Sequence, residues 1–235
     1  MQDRALCWLS RDPLLHVCMS ECIRRGHADI VHASDDGVLL RDREAGLWQV
    51  SAARPEVLQG WLPLLLESPE DIAAHQDFAL EVLGPAVPDR PLRMHCFHSV
   101  YEKKQPLTVP LPPDTVIETL DSRHCALLER VYTHASPGYI TARTEAGVML
   151  GAFVKGELAG FIGQHTEGAQ GLLHVLPEYR RMGLARALMA ACINAALARG
   201  EVPFGQIETH NEASLSLSRS LGLSISRGVV HWFFR

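Results

Sequence analysis

Apolar residues recur along this chain in two rhythms, one of three and four residues and one of two, with glycine or proline marking many of the changes between them. In the first hundred residues the helical rhythm predicts a helix over 14–25, stopped at Gly26. The two-residue rhythm predicts strands over 28–34 and 38–40 around the turn Asp35-Asp36-Gly37, and a further strand over 47–52. A helical stretch over 56–83 breaks near Ser68-Pro69, and 93–102 closes this half as a strand. The second half is better punctuated. A strand over 115–119 leads to a helix capped by Asp121 and running to Tyr132, with another helical turn or two over 137–144. Strands follow over 147–154, 158–165 and 171–176. A helix over 183–199 then repeats Leu184, Ala187, Leu188, Ala191 and Ala195 and stops at Gly200. A strand over 204–209, a helix over 211–221 ended by Gly222, and a last strand or pair over 223–234 complete the order.

The strongest break is the run Gln105 to Pro113, where four prolines remove ladder donors and force extended backbone on their neighbours. The expected organisation is an N-terminal α+β lobe over 1–105, a proline-rich linker over 106–113 and a second domain over 114–235. Charge divides there too: 11 basic and 16 acidic residues precede Pro110, and the two signs balance after it, so the net −5 resides in the first part. That balance argues against a general polyanion or nucleic-acid partner. With 47% hydrophobic and 21% charged residues the composition is that of an ordinary globular chain. Arg4, Arg11 and Asp12 interrupt what would be the apolar stretch of an export signal, and Arg186 and Asn194 interrupt the most apolar long stretch, so neither secretion nor a membrane span is expected. Six cysteines without CxxC pairs are expected as reduced thiols in the cytoplasm. His95, Cys96 and His98 suggest a metal set, but strand alternation sends His95 to the face opposite the other two, and no metal is expected.

Chemistry concentrates at Leu172–Leu188, where a strand turns through Pro177-Glu178-Tyr179 into a helix. The first amides of a helix have no intrahelical acceptor, so the N–H groups of Arg181, Met182, Gly183, Leu184 and Ala185 are expected to point outward at the positive end of the dipole. Gly183 lacks a Cβ and Ala185 carries only a methyl, so an anion can approach the backbone, while Arg180, Arg181 and Arg186 add positive charge.

The pattern Arg180-x-x-Gly183-x-Ala185 resembles the coenzyme A loop of the acetyl-CoA-dependent N-acetyltransferase (GNAT) superfamily. Asn211, Ala213, Ser214, Leu217 and Leu221-Gly222 are similar to its second signature, an Asn-opened helix ending in Leu-Gly. The resemblance covers 115–235; the two-part layout and the 171–183 run are most similar to the glycine N-acyltransferase-like branch. It implies an α/β (α+β) fold with a splayed, mixed, mostly antiparallel sheet flanked by helices, beside a smaller, motif-free N-terminal lobe that is itself a degenerate copy.

The resemblance also implies a site. Backbone N–H groups of Leu173, His174 and Val175 would hold the pantetheine arm and thioester oxygen, the loop from Arg180 to Arg186 the pyrophosphate, and Asn211 with Ser214 the adenosine side. Acetyl-CoA would be co-substrate, and a small-molecule amine the acceptor. A proton must leave that amine; His174 and Glu167 are the leading candidates, with His165, Glu208 and His210 behind them. Relatives carry a tyrosine acid for the thiolate where this chain has Ser218. Two readings follow: an N-acyltransferase working as a monomer or homodimer, or a non-catalytic acyl-CoA sensor. A protein-modifying transferase is less favoured, since a large first lobe would cover an open substrate groove.

Overall fold

A computed structural model describes residues 1–235, which fold as two compact units. The first contains 1–100, 206–219 and 223–235; the second contains 101–205 and 220–222. The chain thus returns to the first unit after Gly205, and that unit is the larger of the two, where the sequence suggested a smaller lobe ending at 105.

In the first unit, helices α1 (Gln2–Leu9) and α2 (Val17–Arg24) precede strands β1 (Ala28–Ser34), β2 (Gly37–Asp42) and β3 (Leu47–Ala52). Helix α3 (Pro55–Glu67), strand β4 (Asp71–Ala74), helix α4 (Ala79–Ala86) and strand β5 (Leu92–Val100) follow. The expected helical stretch over 56–83 does break after Glu67, near Ser68-Pro69, but the strand β4 lies in the break. Asp71-Ile72-Ala73-Ala74 is too short and alanine-rich to betray a strand by its rhythm.

The second unit opens with β6 (Thr115–Thr119) and a 3-10 turn (Ser122–His124) capped by Asp121, then α5 (Cys125–Val131) and α6 (Tyr139–Glu145). The hairpin β7 (Met149–Val154) and β8 (Glu157–Gln164) leads to β9 (Gln170–Val175) and α7 (Leu184–Ala198). β10 (Phe204–Glu208) then carries the chain back to the first unit, to which most of α8 (Glu212–Ser220) and all of β11 (Ser224–Ile225) and β12 (Val230–Phe233) belong. The order α-α-β-β-β-α-β-α-β occurs twice, once as α1 to β5 and once from α5 onward.

Strand order in the first unit is β1-β2-β3-β4-β12-β5, antiparallel throughout except for the β3–β4 pair, which α3 connects. β12 lies between β4 and β5, with His231 opposite both Ala74 and His95. The sequence assigned this strand to the second domain, but its side chains complete the first unit's core on both faces. Val230 and Trp232 pack with Leu15, Leu47, Ala73 and Cys96, while Phe233 joins Trp48, Leu58, Leu65 and Ile72 beneath α3 and α4. Helices α1 and α2 cover the sheet with Trp8, Leu9, Met19 and Ile23 against Val38 and Leu40.

In the second unit the order is β10-β9-β8-β7-β6, antiparallel from β9 to β6 and parallel between β9 and β10. α7 lays Leu184, Leu188 and Cys192, one turn apart, on Ala152, Val154, Ala159 and Ile162. α5 and α6 lay Leu128 and Ile140 on Met149, Phe161 and Leu172. Fully burying a leucine such as Leu188 contributes about 2 kcal/mol. No helix is long and apolar enough to cross a membrane.

Candidate active site

β9 departs from regular pairing. Against β8, Val175 pairs with Gly160 and His174 with Phe161, but pairing resumes at Gly171 with Gly163, so Leu172 and Leu173 together face the single residue Ile162. This is a bulge, and Leu172 adopts φ +57° there, a left-handed conformation costing about 1–2 kcal/mol for a residue with a Cβ. Burial of the Leu172 side chain against Phe161 and Met149 offsets that strain. On its other edge, β9 pairs with β10 through one bridge, Gln170 with Gly205. The Leu176 amide donates to Ala159 O. Strand alternation therefore points the Val175 and Leu173 N–H groups off the edge that has no strand partner beyond Gln170.

The strand ends in a 3-10 turn, Pro177–Tyr179, and α7 begins after Gly183. Arg181 (φ +66°) and Gly183 (φ +88°) are both left-handed, which turns successive peptide N–H groups toward one side. Intrahelical bonding starts at Arg186 and Ala187, whose amides both donate to Gly183 O. The five amides from Arg181 to Ala185 find no acceptor in the protein. A Cβ at residue 183 would meet only Pro112 Cγ, at 4.0 Å, so the glycine is required by backbone conformation and by whatever approaches these amides. Arg180, Arg181 and Arg186 are exposed around the loop. Arg180 Nε donates to Val175 O, and Arg186 is held by the Ser220 hydroxyl. An acceptor-free run of amides with exposed arginines fits a pyrophosphate.

Side chains alternate across β9. Leu173 and Val175 pack toward α7, while Leu172 and His174 face α5 and α6. The His174 ring stacks on Phe161 with centroids 5.5 Å apart, and meets Tyr132 edge-on at 6.3 Å. Neither of its ring nitrogens has a hydrogen-bond partner. Burial first, then the charges of Arg180 and His134, hold its pKa below the ordinary 6.5, so the imidazole is neutral at pH 7 with a lone pair available.

Glu167 lies in the turn before β9, buried and beside Tyr139 rather than His174. Tyr139 Oη contacts His165 Nδ1 at 3.0 Å and accepts the Thr166 amide. Burial and the Glu167 carboxylate raise its pKa, so it remains a phenol. His174 and Glu167 are thus in separate environments at opposite ends of β9.

Asn211 caps α8, accepting the Ser214 amide at 3.1 Å. Asn211, Ser214 and Ser218 fall in the first unit. Ser218 is 0% exposed and its hydroxyl has no hydrogen-bond partner. The sequence expected that hydroxyl to face a departing thiolate; instead it is enclosed by protein. His95 contacts His231 Nδ1 at 2.8 Å, while His98 Nδ1 bonds Leu15 O, so the His95, Cys96 and His98 set is divided as alternation predicted. No group of three or more His, Cys, Asp or Glu is arranged to hold a metal ion.

Sequence reading missed Tyr132 as a neighbour of His174 and missed the bulge. Glycines on both sides of the slip, Gly163 and Gly171, were the available signal for the bulge. Nothing local marks Leu172 itself.

Residues 115–223 match the family model of the GNAT acetyltransferases. That stretch, 109 of the 235 residues, is similar to a GNAT acetyltransferase domain. Among solved structures, a GCN5-related N-acetyltransferase-like protein from Streptococcus suis is 18% identical, with 100% of this chain and 98% of that one covered at a TM-score of 0.59. A putative GNAT-family acetyltransferase from Novosphingobium aromaticivorans is 20% identical, covering 94% and 96% at 0.57. A Drosophila protein reaches 0.67 at 22% identity, covering 85% and 74%. These likenesses establish the GNAT fold, and no protein of curated function matches the chain. The family match supports acyl transfer from coenzyme A as the chemistry in general.

Proposed function

We propose that this chain moves an acetyl or other short acyl group from coenzyme A to the primary amine of a small molecule or amino acid, by direct attack and without a covalent enzyme intermediate. One observation carries the reading: a single strand–helix junction bears both the bulged, unpaired edge of β9 and the five acceptor-free amides of Arg181 to Ala185. The loop amides and Arg181 hold the pyrophosphate. The Leu173 and Val175 amides receive the pantetheine and the thioester oxygen, and they stabilise the charge that builds on that oxygen during attack. His174, neutral and unpartnered, takes the proton of the attacking amine as the C–N bond forms and the C–S bond breaks. The enclosed Ser218 leaves the thiolate to be protonated by water.

The location proposed is the cytoplasm, which suits six cysteines without a disulfide. The proposed form is a monomer or homodimer with no nucleic-acid or membrane partner.

Steady-state release of free thiol from acetyl-CoA across a panel of amines, with calorimetry of CoA binding, tests the reading. Thiol release dependent on one class of amine supports it. Micromolar CoA binding with no release for any amine selects the sensor instead. Absence of CoA binding rejects both.

A further inference from the structure

The proline-rich segment is held along α7. Leu107 N donates to Asn194 Oδ1 at 2.7 Å, and Asn194 Nδ2 returns a bond to Leu107 O at 3.0 Å, so one side-chain amide grips one backbone residue from both sides. Five residues later, Pro112 Cγ lies 4.0 Å from where a Cβ of Gly183 would be. The two spacings match. Polyproline backbone from 107 to 112 spans about 16 Å, and helix from 183 to 194 rises about 16 Å. The segment therefore runs antiparallel to α7, from mid-helix back to its N-terminus. Both ends are fixed: Tyr101 Oη donates to Gln105 O, and Asp114 O accepts the Lys155 amide just before β6 pairs with β7.

The residues just before Pro112 and Gly183 are apolar and exposed. Leu111 is 52% exposed, and Met182, which carries one of the acceptor-free amides, is 42% exposed. A surface that offers N–H groups next to open apolar side chains suits a ligand with a phosphate chain joined to a flat ring. We infer that the proline-rich segment is a wall of the coenzyme site, with Leu111 and Pro112 covering the nucleoside end and Asn194 acting as the positioning residue that holds the wall in place. This rests on the coenzyme reading above and assigns to the linker a share of the binding.

ADP, which has the pyrophosphate and base but no pantetheine, isolates this surface. Calorimetry with ADP should show affinity falling about fivefold in Leu111→Ser, where an exposed side chain is changed and the fold is not at risk. Asn194→Leu should give a similar loss and raise the KM for acetyl-CoA while kcat holds. Asn194→Asp, which keeps the acceptor for Leu107 N–H, should recover part of it. Pantetheine affinity should not change in any variant. ADP affinity within twofold of the unaltered protein in Leu111→Ser would overturn the inference, as would a kcat loss without a KM change in Asn194→Leu. If the unaltered protein bound neither ADP nor CoA, the coenzyme reading itself would fail and this inference with it.

Discussion

The imidazole of His174 lies on the ring of Phe161, with planes 25° apart, and Phe161 is wholly buried. A fixed, desolvated platform of this kind keeps the imidazole neutral and in one orientation, as the proposed role requires. His174→Ala should lower thiol release by roughly 10²–10⁴-fold at pH 7.5. In the unaltered protein, activity should be complete above pH 6.5 and fall as pH drops through the lowered pKa of His174. That acidic limb should disappear in His174→Ala, and a limb persisting at the same midpoint would assign the proton to another group.

Gly160 tests the strand rather than the base. A Cβ at this position would lie 2.7 Å from His174 O and 3.1 Å from Val175 Cα, both backbone atoms of the strand that carries the free amides. Gly160→Ala must displace β9, and a shift approaching 1 Å at the reacting atoms costs about a hundredfold in turnover. As a control, an added methyl at Gly84 in α4 meets nothing within 4 Å. Gly84→Ala should leave activity alone and stabilise by about 0.5–1 kcal/mol. Thiol release and thermal melts of the two variants separate the effects.

Ser218 should behave as a packing residue. Its buried, unpaired hydroxyl costs about 1–3 kcal/mol of desolvation, so Ser218→Ala should raise stability by about 1 kcal/mol, read from the denaturant midpoint. Turnover should change by less than tenfold. A loss of a hundredfold or more would restore Ser218 as the acid of the thiolate.

Three buried histidines in the first unit set an acid limit on stability. Each faces a backbone carbonyl through Nδ1: His16 with Leu9, His75 with Val50 and His98 with Leu15. Their rings lie 5.6 and 6.1 Å apart in series. Burial holds all three pKa values down, His98 to about 4. Depressed below the unfolded value of 6.5, they favour the folded state fully above pH 6.5, and that stability is lost as pH falls from 6.5 toward 4. For His98 alone the loss is on the order of 3 kcal/mol. Urea midpoints measured between pH 7 and 4.5 should fall steeply, and His98→Gln should flatten the slope.

Much of this was legible in the sequence because it is local. The break between the strands over 147–154 and 158–165, the spacing of Leu184, Ala187 and Leu188, the glycine before α7 and the Asn-opened helix at Asn211 each depend on residues within a few positions of one another, though the buried stripe continues through Cys192 and Ala196 rather than Ala191 and Ala195. What was not legible is set by partners far along the chain. β12 reads as a short apolar strand wherever it pairs, and only the apolar positions waiting on β4 and β5 decide the sheet it joins. Leu172 takes a left-handed conformation because the β8 register demands it, against its own preference. Four prolines announced a linker, but its docking along α7 depended on Asn194, eighty-seven residues away from Leu107.

The position of β12 also governs the timing of assembly. β4 and β5 are synthesised early, yet the strand that joins them, Val230–Phe233, leaves the ribosome only after the whole of 101–205 has been made. Until then the facing edges of β4 and β5 carry unpaired backbone groups, the condition in which strands associate with other chains. The first unit therefore cannot close before the second has been made. A nascent chain depends on holding those two edges apart from other strands while more than a hundred further residues are made, and loss of Val230–Phe233 would leave the early half, not the late one, unfinished.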